Sequence, residues 1–236
     1  MTIAIDLNCD MGESYGRWQL GADEEIMPFI TSASVACGFH GGDPHVMRKT
    51  VDLALAHGVA VGSHPSLPDL MGFGRRAMAI SPQELKDCMC YQTGALREFL
   101  RVRGAPLQHV KAHGILYDMM EKDPALAVAA CEACQESGGT DLIMVVLAAG
   151  KSDSKARSMG LTVASEGFAD RGYNADGTLV SRKLPGALID DPTRAADQAI
   201  SFAAQSVMAG VNELVVAGGV QNMSMIPIGF ALTATA

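Results

Sequence analysis

The chain has little of what marks a disordered, membrane-spanning or polyanion-binding protein. Only 19% of its 236 residues are charged and 48% are hydrophobic, which excludes intrinsic disorder. It has no run of basic residues, and its net charge of −8 argues against nucleic-acid binding. The longest wholly apolar run, Leu142 to Ala149, is far shorter than the about 20 residues that cross a bilayer. Because Asp6 and Asp10 interrupt any signal-like start, we expect a cytoplasmic protein.

Cysteine is also too sparse for a disulfide framework, with six residues in the whole chain. Cys131 and Cys134 form a C-x-x-C, but they lie in an alanine-rich helical pattern from Ala125 to Glu136. A structural zinc site would need a second such pair, and the sequence has none. The pattern therefore predicts reduced thiols buried on a helix.

What the chain does have is an alternation of apolar β-type runs with segments of helical period. Runs that are apolar throughout are typical of strands covered on both faces, as in a parallel sheet. The pattern predicts one α/β domain, either a barrel or a doubly wound sheet, and about seven strands favour a barrel. The predicted strands are Ile3–Leu7, Ala33–Ala36, Val59–Gly62, His109–Lys111, Leu142–Leu147, Leu161–Ala164 and Leu214–Ala217.

Several helix starts can be identified from the sequence. Ser81, followed by proline and by Glu84 at the third helical position, predicts a capping box. Asp123 and Asp191, each followed by proline, predict two further N-terminal caps.

Ionisable residues follow the predicted strands. In a parallel sheet the loops after the strands open on one face, where α/β enzymes place their chemistry, so these residues predict an active site. They are Asp10, Glu13, His40, His64, Arg75, Arg76, Lys111, His113, Glu166, Asp170 and Arg171.

Other interpretations stay open for several of these residues. Asp10 and Glu13 could cap a helix, and Arg75 with Arg76 could be a solvated pair instead of an anion site. His45, His57 and His109 are better explained as structural, because they lie at helix ends or at a strand start. Gly150-Lys151-Ser152 has the context of a phosphate loop, but Val145 stands where that motif needs glycine.

Six ordered motifs, between about Ile3 and Ala187, resemble the LamB/YcsF family. They are Asp6-Leu7-Asn8-Cys9-Asp10-Met11-Gly12-Glu13, Ala36-Cys37-Gly38-Phe39-His40-Gly41-Gly42-Asp43-Pro44, His64-Pro65-Ser66-Leu67-Pro68-Asp69, Gly72-Phe73-Gly74-Arg75-Arg76, Val110-Lys111-Ala112-His113-Gly114 and Phe168-Ala169-Asp170-Arg171-Gly172-Tyr173.

This resemblance implies a subunit of an ATP-dependent 5-oxoprolinase, which opens 5-oxoproline (pyroglutamate) to L-glutamate together with subunits B and C. It implies a single-domain irregular parallel β/α barrel, similar to those of glycoside hydrolases and deacetylases. ATP is the implied cofactor, with a divalent cation either as Mg²⁺ on the nucleotide or as a metal in the site.

The resemblance also implies roles for the residues. The expected catalytic residues are Asp10, Glu13, His40, His64, Lys111, His113 and Asp170. The expected substrate- and anion-binding residues are Asn8, Arg75, Arg76, Glu166 and Arg171. By analogy with deacetylases, Asp10, His40 and His64 are the expected metal ligands.

The chain departs from the family pattern near its end. The family's closing strand carries a Cys-x-His-Gly-Asp segment, whereas no histidine follows His113 here. We therefore expect one domain over residues 1–236 with an atypical tail from about residue 188, and an altered tail would favour self-association into a homo-oligomer. Two alternatives stay open: a stand-alone metal-dependent amide or acetyl hydrolase, and a non-catalytic lactam-binding subunit.

Overall fold

In the computed structural model, parallel strands close into a barrel, which confirms the predicted fold class. The structure describes residues 6–148, 150–208 and 214–218. Within them seven strands follow one another around the barrel, and the last pairs with the first. The strands are β1 (Asp6–Met11), β2 (Ser32–Ala36), β3 (Ala60–His64), β4 (His109–Lys111), β5 (Ile143–Leu147), β6 (Thr162–Phe168) and β7 (Leu214–Gly218).

Helices connect the strands on the outside of the barrel. In the described ranges they are α1 (Asp23–Ile26), α2 (Pro44–Ala56), α3 (Pro82–Arg101), α4 (Ile115–Lys122), α5 (Pro124–Gly138), α6 (Lys151–Ser158) and α7 (Pro192–Met208). Short 3₁₀ turns cover Met27–Phe29 and Gly139–Asp141. Among these helices none is both long and apolar enough to cross a membrane.

The predicted helix starts are confirmed. The Ser81 hydroxyl accepts the Glu84 amide at 3.3 Å, and the Glu84 carboxylate accepts the Ser81 amide at 2.8 Å. Asp123 accepts the Ala125 amide at 2.9 Å, and the Asp191 side chain accepts an amide in the first turn of α7 at 2.8 Å. These bonds satisfy amides that have no partner within the helix.

The hydrophobic core lies between the barrel and its helices. Met144 and Val146 of β5 point outward into it, while Val145 points the other way. Cys131 and Cys134 are buried in the same layer on α5, which confirms them as structural helix thiols. The apolar outer layer leaves the inside of the barrel free for polar side chains.

Three strands continue at least two residues beyond their predicted ends because polar side chains lie inside the barrel. One of them is β3, which ends at His64 and not at Gly62. β1 begins at Asp6 and continues to Met11, whereas residues 1–5 lie outside the described ranges. β6 continues to Phe168, four residues beyond the predicted end at Ala164. Asn8, Asp10, His64 and Glu166 were expected in loops after strands, and the structure corrects this by placing them within strands.

Internal hydrogen bonds explain how the barrel accommodates these polar strands. Asn8 Nδ2 donates to Ser32 Oγ at 2.7 Å, and Ser34 Oγ donates to Asn8 Oδ1 at 3.0 Å. His109 Nε2 lies 3.0 Å from Ser34 Oγ, and its Nδ1 lies 3.0 Å from Gln108 Oε1. His109 is thus a buried structural histidine, as predicted.

His109 should make the protein more sensitive to acid. Burial lowers the pKa of His109 to about 3, whereas an unfolded histidine titrates near 6.5. Between these values the unfolded chain binds more protons, so the stability of the folded chain rises with pH. In His109→Gln, urea unfolding between pH 4 and 6 should show a shallower slope, by up to about 1.4 kcal/mol per pH unit. Equal slopes in the two proteins would contradict this assignment.

Candidate active site

A set of polar side chains from distant parts of the chain meets at the carboxyl-terminal end of the barrel, as predicted. Parallel strands all end at this rim, so residues at or just after each strand become neighbours. All are buried except Asp10, which is half-buried. They are Asn8, Asp10, Glu13, His40, His64, Lys111, His113 and Glu166.

Lys111 is at the centre of an ion network that is formed by side chains of β1, β4 and β6. Its Nζ lies 2.7 Å from Asp10 Oδ1, 2.8 Å from Glu166 Oε1 and 2.9 Å from Asn8 Oδ1. The ammonium group donates hydrogen bonds to Glu166 and Asn8, and its charge pairs with Asp10. Lys111 therefore holds two carboxylates in fixed positions.

The network sets the charges of its members. Burial alone would lower the pKa of Lys111, but the Asp10 and Glu166 carboxylates outweigh it and raise that pKa well above its usual range. Burial would raise the pKa of Asp10, but His64 and Lys111 hold it well below its ordinary value. Lys111 is therefore a cation, and Asp10 an anion, throughout the neutral pH range.

Three histidines and Glu13 form a second cluster beside this network. His64 Nε2 lies 3.3 Å from Asp10 Oδ2 and 3.0 Å from His113 Nδ1. Glu13 Oε1 lies 3.4 Å from His113 Nδ1 and 3.3 Å from His40 Nε2. Burial lowers the pKa values of His40 and His113 and raises the pKa of Glu13. Burial thus disfavours the charged form of these three residues.

The loop that follows β3 closes over the histidines at Gly74. Gly74 has a φ of +62°, and a Cβ built there would lie 2.2 Å from Ser66 Oγ, 2.7 Å from His113 Cδ2 and 3.0 Å from His40 Cβ. The Gly74 carbonyl also accepts the Ile115 amide at 2.9 Å, which joins the loop to the start of α4. Only glycine combines this backbone conformation with so close an approach.

Gly74→Ala should therefore destabilise the protein more than the same substitution at a glycine that has a similar positive φ but open space around its Cβ position. Gly104 is such a control, because its φ is +67° and nothing lies within 4 Å of its Cβ position. The clash should cost about 1–3 kcal/mol beyond the loss in Gly104→Ala, as measured by urea unfolding. Equal losses would show that the loop can move away from the histidines without cost.

The structure gives Arg75 and Arg76 different environments. Arg76 lies outside the cluster: its Nε donates to Asp69 Oδ1 at 2.8 Å and its amide to Asp69 Oδ2 at 3.1 Å. Arg76 therefore braces its own loop. The Arg75 guanidinium lies 5.1 Å from the Phe73 ring centroid. Its pKa is lowered first by burial and then by Arg182, while Glu13 and Asp10 act in the opposite direction, so Arg75 lies beside the cluster.

Asp170 and Arg171 lie at the end of β6. Arg171 donates from Nε to the Ala187 carbonyl at 3.1 Å and from Nη2 to the Val180 carbonyl at 2.9 Å. It thereby orders the loop between β6 and α7. Asp170 is buried, and its carbonyl accepts the Ile189 amide at 2.8 Å. A direct part for either residue in binding or catalysis stays a prediction.

Sequence reasoning missed Tyr117 and Arg182. The Tyr117 hydroxyl donates to Glu166 Oε2 at 2.7 Å and so fixes the carboxylate that holds Lys111. Its signal was weak, because a tyrosine in the first turn of a helix is usually a packing residue. Arg182 influences the pKa of Arg75 from a loop that no strand or helix pattern places near it.

The structure explains why Gly150-Lys151-Ser152 is not a phosphate-binding loop. The amides of Lys151 and Ser152 at the start of α6 donate to the Glu121 carboxylate at 2.7 and 3.1 Å. An anion of the protein itself thus occupies the position where a bound phosphate would lie.

One group of side chains could hold a metal ion. Glu13, His40, His64 and His113 each offer a ligand atom, and these atoms lie within 4.8 Å of one another. Two of the predicted ligands, His40 and His64, belong to this group. Asp10, the third, instead lies against Lys111 and His64.

Comparison with known proteins gives close relatives over most of the chain. The A subunit of 5-oxoprolinase from Bordetella pertussis is 56% identical over 86% of this chain and 80% of its own length. The protein of the same name from Pyrococcus furiosus is 51% identical over 88% of this chain and 81% of its own length. The crystal structure of a lactam utilization protein from Thermus thermophilus is 42% identical, with a TM-score of 0.84 over 92% of this chain and 91% of that one.

The model of the LamB/YcsF family matches residues 5–223, well beyond Ala187, where the ordered motifs end. The expected tail from about residue 188 is therefore partly inside the family match, and β7 within it completes the barrel. In this chain the closing strand β7 (Leu214–Gly218) has no histidine, and residues 219–236 lie outside the described ranges. The chain belongs to the LamB/YcsF family.

Proposed function

We propose that this chain is a subunit of an ATP-dependent 5-oxoprolinase and that it opens the cyclic amide of 5-oxoproline to L-glutamate. The names of its relatives support this substrate. The observation that carries an active role is the buried Lys111 network beside the histidine cluster, since such charged groups are costly to bury without a function.

The lactam is a poor electrophile because amide resonance donates electron density to its carbonyl carbon. Transfer of a phosphoryl group from ATP to the carbonyl oxygen would release ADP and make the carbonyl carbon a better electrophile. Water could then attack that carbon, and the C–N bond would break as the ring nitrogen takes up a proton. A second water would hydrolyse the resulting acyl phosphate to the carboxylate of L-glutamate and free phosphate. We assign ATP to the assembly with subunits B and C. This chain then contributes groups that orient water and stabilise charge.

Asp10 is the group that can accept a proton from the attacking water. Its side chain is 19% exposed, whereas those of Glu13 and Glu166 are 4% and 0% exposed. Of these three carboxylates it therefore has the best access to a substrate at the barrel mouth. Its low pKa keeps it ionised, and its Oδ1 lies 2.7 Å from the Lys111 ammonium.

Lys111 acts as a positioning residue because it is buried and its ammonium group already contacts Asp10, Glu166 and Asn8. Its ammonium group lies 2.7 Å from Asp10 Oδ1 and 2.8 Å from Glu166 Oε1, and the Tyr117 hydroxyl donates to Glu166 Oε2 from the other side. We assign binding of the substrate's anionic groups to Arg75, whose guanidinium lies 5.1 Å from the Phe73 ring centroid, beside the cluster.

The test is to mix the purified chain with subunits B and C, ATP and 5-oxoproline and to measure glutamate. Glutamate should form only when this chain is present, together with ADP. A folded mixture that forms a complex but no glutamate would overturn the proposal and favour a non-catalytic lactam-binding subunit.

The histidine cluster also supports a second candidate, a metal-dependent amide hydrolase that works alone. The two candidates differ in what they need. Glutamate formed by the isolated chain with a divalent metal, without ATP or partner subunits, would favour the second candidate.

A further inference from the structure

We infer that His64, His113 and Glu13 bind one divalent transition-metal ion of the zinc type, and that His40 is the fourth ligand. The inference goes beyond the proposed function, since it concerns the chain without substrate, nucleotide or partners. It also replaces Asp10 in the predicted ligand set with Glu13 and His113.

The first step is the direction of the lone pairs. His64 Nδ1 lies 2.7 Å from the Lys111 carbonyl oxygen, and His113 Nε2 lies 2.9 Å from the Phe73 carbonyl oxygen. A carbonyl oxygen can only accept, so each of these nitrogens carries the hydrogen. In the neutral rings the other nitrogens, His64 Nε2 and His113 Nδ1, then carry lone pairs.

The second step is that these two lone-pair nitrogens face each other at 3.0 Å. Such an arrangement is repulsive unless a cation lies between them. Hydrogen bonds from the far ring nitrogen to backbone carbonyls are also the usual outer support of histidines that bind metals. The same two carbonyl contacts therefore orient both rings for one ion.

The third step is the spacing and the lack of other partners. A tetrahedral ion with bonds of about 2.0–2.1 Å separates its ligand atoms by about 3.3 Å. The contacts of His64 with His113 and of His113 with Glu13 measure 3.0 and 3.4 Å, and one ligand atom from each of the four residues lies within 4.8 Å of the others. Glu13 Oε1 and both nitrogens of His40 are buried without a hydrogen-bond partner. A single proton between His64 and His113 would leave these atoms unsatisfied.

His40 requires one adjustment. Its ring is stacked on that of His113, with centroids 3.6 Å apart and planes 7° from parallel. Two stacked rings cannot both direct lone pairs in their planes at one ion, so the His40 ring must turn on binding. No hydrogen bond to either ring nitrogen opposes this turn.

The ligand set indicates the class of metal. Imidazole nitrogens favour zinc, cobalt, nickel or iron, whereas magnesium and calcium prefer oxygen ligands. When bound, such an ion would supply a Lewis acid at the mouth of the barrel.

The experiment measures metal on the isolated, full-length chain. After chelation and dialysis, the chain is titrated with Zn²⁺, Mg²⁺ or Ca²⁺, and bound metal is measured by elemental analysis. We expect one Zn²⁺ per chain, no saturable binding of Mg²⁺ or Ca²⁺, and visible absorption typical of tetrahedral Co²⁺ in the cobalt form. Binding of less than a tenth of an equivalent of Zn²⁺ would overturn the inference, even if glutamate were formed with the partner subunits.

Variants test the ligand set. Loss of an outer support usually weakens metal binding by about 10–100-fold, so loss of a ligand in His113→Asn or His64→Asn should weaken it by at least about 100-fold. Glu13→Gln provides a third test if either histidine variant fails to fold. His45→Asn, at an exposed histidine on α2, should bind like the unchanged chain, and Asp10→Asn should change the affinity by less than about 10-fold. A loss in Asp10→Asn as large as that in His113→Asn would overturn the ligand set.

Discussion

Replacing Lys111 by methionine should abolish glutamate formation and lower the free energy of unfolding by about 3–5 kcal/mol. Methionine fills similar space but leaves Asp10 and Glu166 as buried carboxylates without their cation. Removing one partner of a buried ion pair typically costs this much, because the remaining charge stays desolvated. Urea unfolding at pH 7 measures the stability, and the assay with subunits B and C measures the activity.

A double variant separates charge from packing. In Lys111→Met with Glu166→Gln, one uncompensated charge is removed, so part of the lost stability should return while the activity stays absent. Lys86→Met is the matched control, because Lys86 pairs with Glu136 and Glu132 on the surface between α3 and α5. It should cost no more than about 1 kcal/mol. Equal stability losses in Lys86→Met and Lys111→Met would contradict the role given to the buried network.

The barrel and the convergence of the site were predictable from local signals. Each apolar run marks a strand, and a parallel arrangement brings the residues near the carboxyl ends of the strands to one rim. His40, His64 and His113 come together for this reason, although 73 positions separate the first from the last (113 − 40 = 73). The caps at Ser81 and Asp123 were equally local, since each depends on residues within one helical turn.

Features that depend on long-range partners were not predictable. The sequence shows that Arg75 and Arg76 are adjacent, but not that Asp69 binds Arg76 and leaves Arg75 beside the cluster. Asp10 and Glu166 resembled loop residues because a charged side chain usually ends a strand. Inside this barrel Lys111 neutralises both, so the strands continue through them.

The metal ligands also depend on contacts between residues that are far apart in the sequence. The sequence offered Asp10, His40 and His64 as a set by analogy, and each lies near the others in the structure. The choice between Asp10 and Glu13 depends on which carboxylate pairs with Lys111. The folded barrel shows that this carboxylate is Asp10, whereas Glu13 lies with the three histidines.

Replacing Asp10 by asparagine should lower the rate of glutamate formation by about 10²–10⁴-fold while the chain stays folded. The amide keeps the size of the carboxylate but cannot accept a proton from water at neutral pH. Lys111 retains Glu166 as a counter-ion at 2.8 Å, so the stability loss should remain well below that of Lys111→Met. The assay with both partner subunits measures the rate, and urea unfolding measures the stability.

The control for this variant is Asp123→Asn, which changes the same atoms at the N-terminal cap of α5. Asparagine caps helices about as well as aspartate, so both rate and stability should stay close to those of the unchanged chain. If Asp10→Asn retained more than about a tenth of the rate, Asp10 could not be the group that accepts the proton, since general base catalysis contributes at least about 10²-fold. The base would then have to be sought at Glu13, whose carboxylate is buried and whose pKa is raised by that burial.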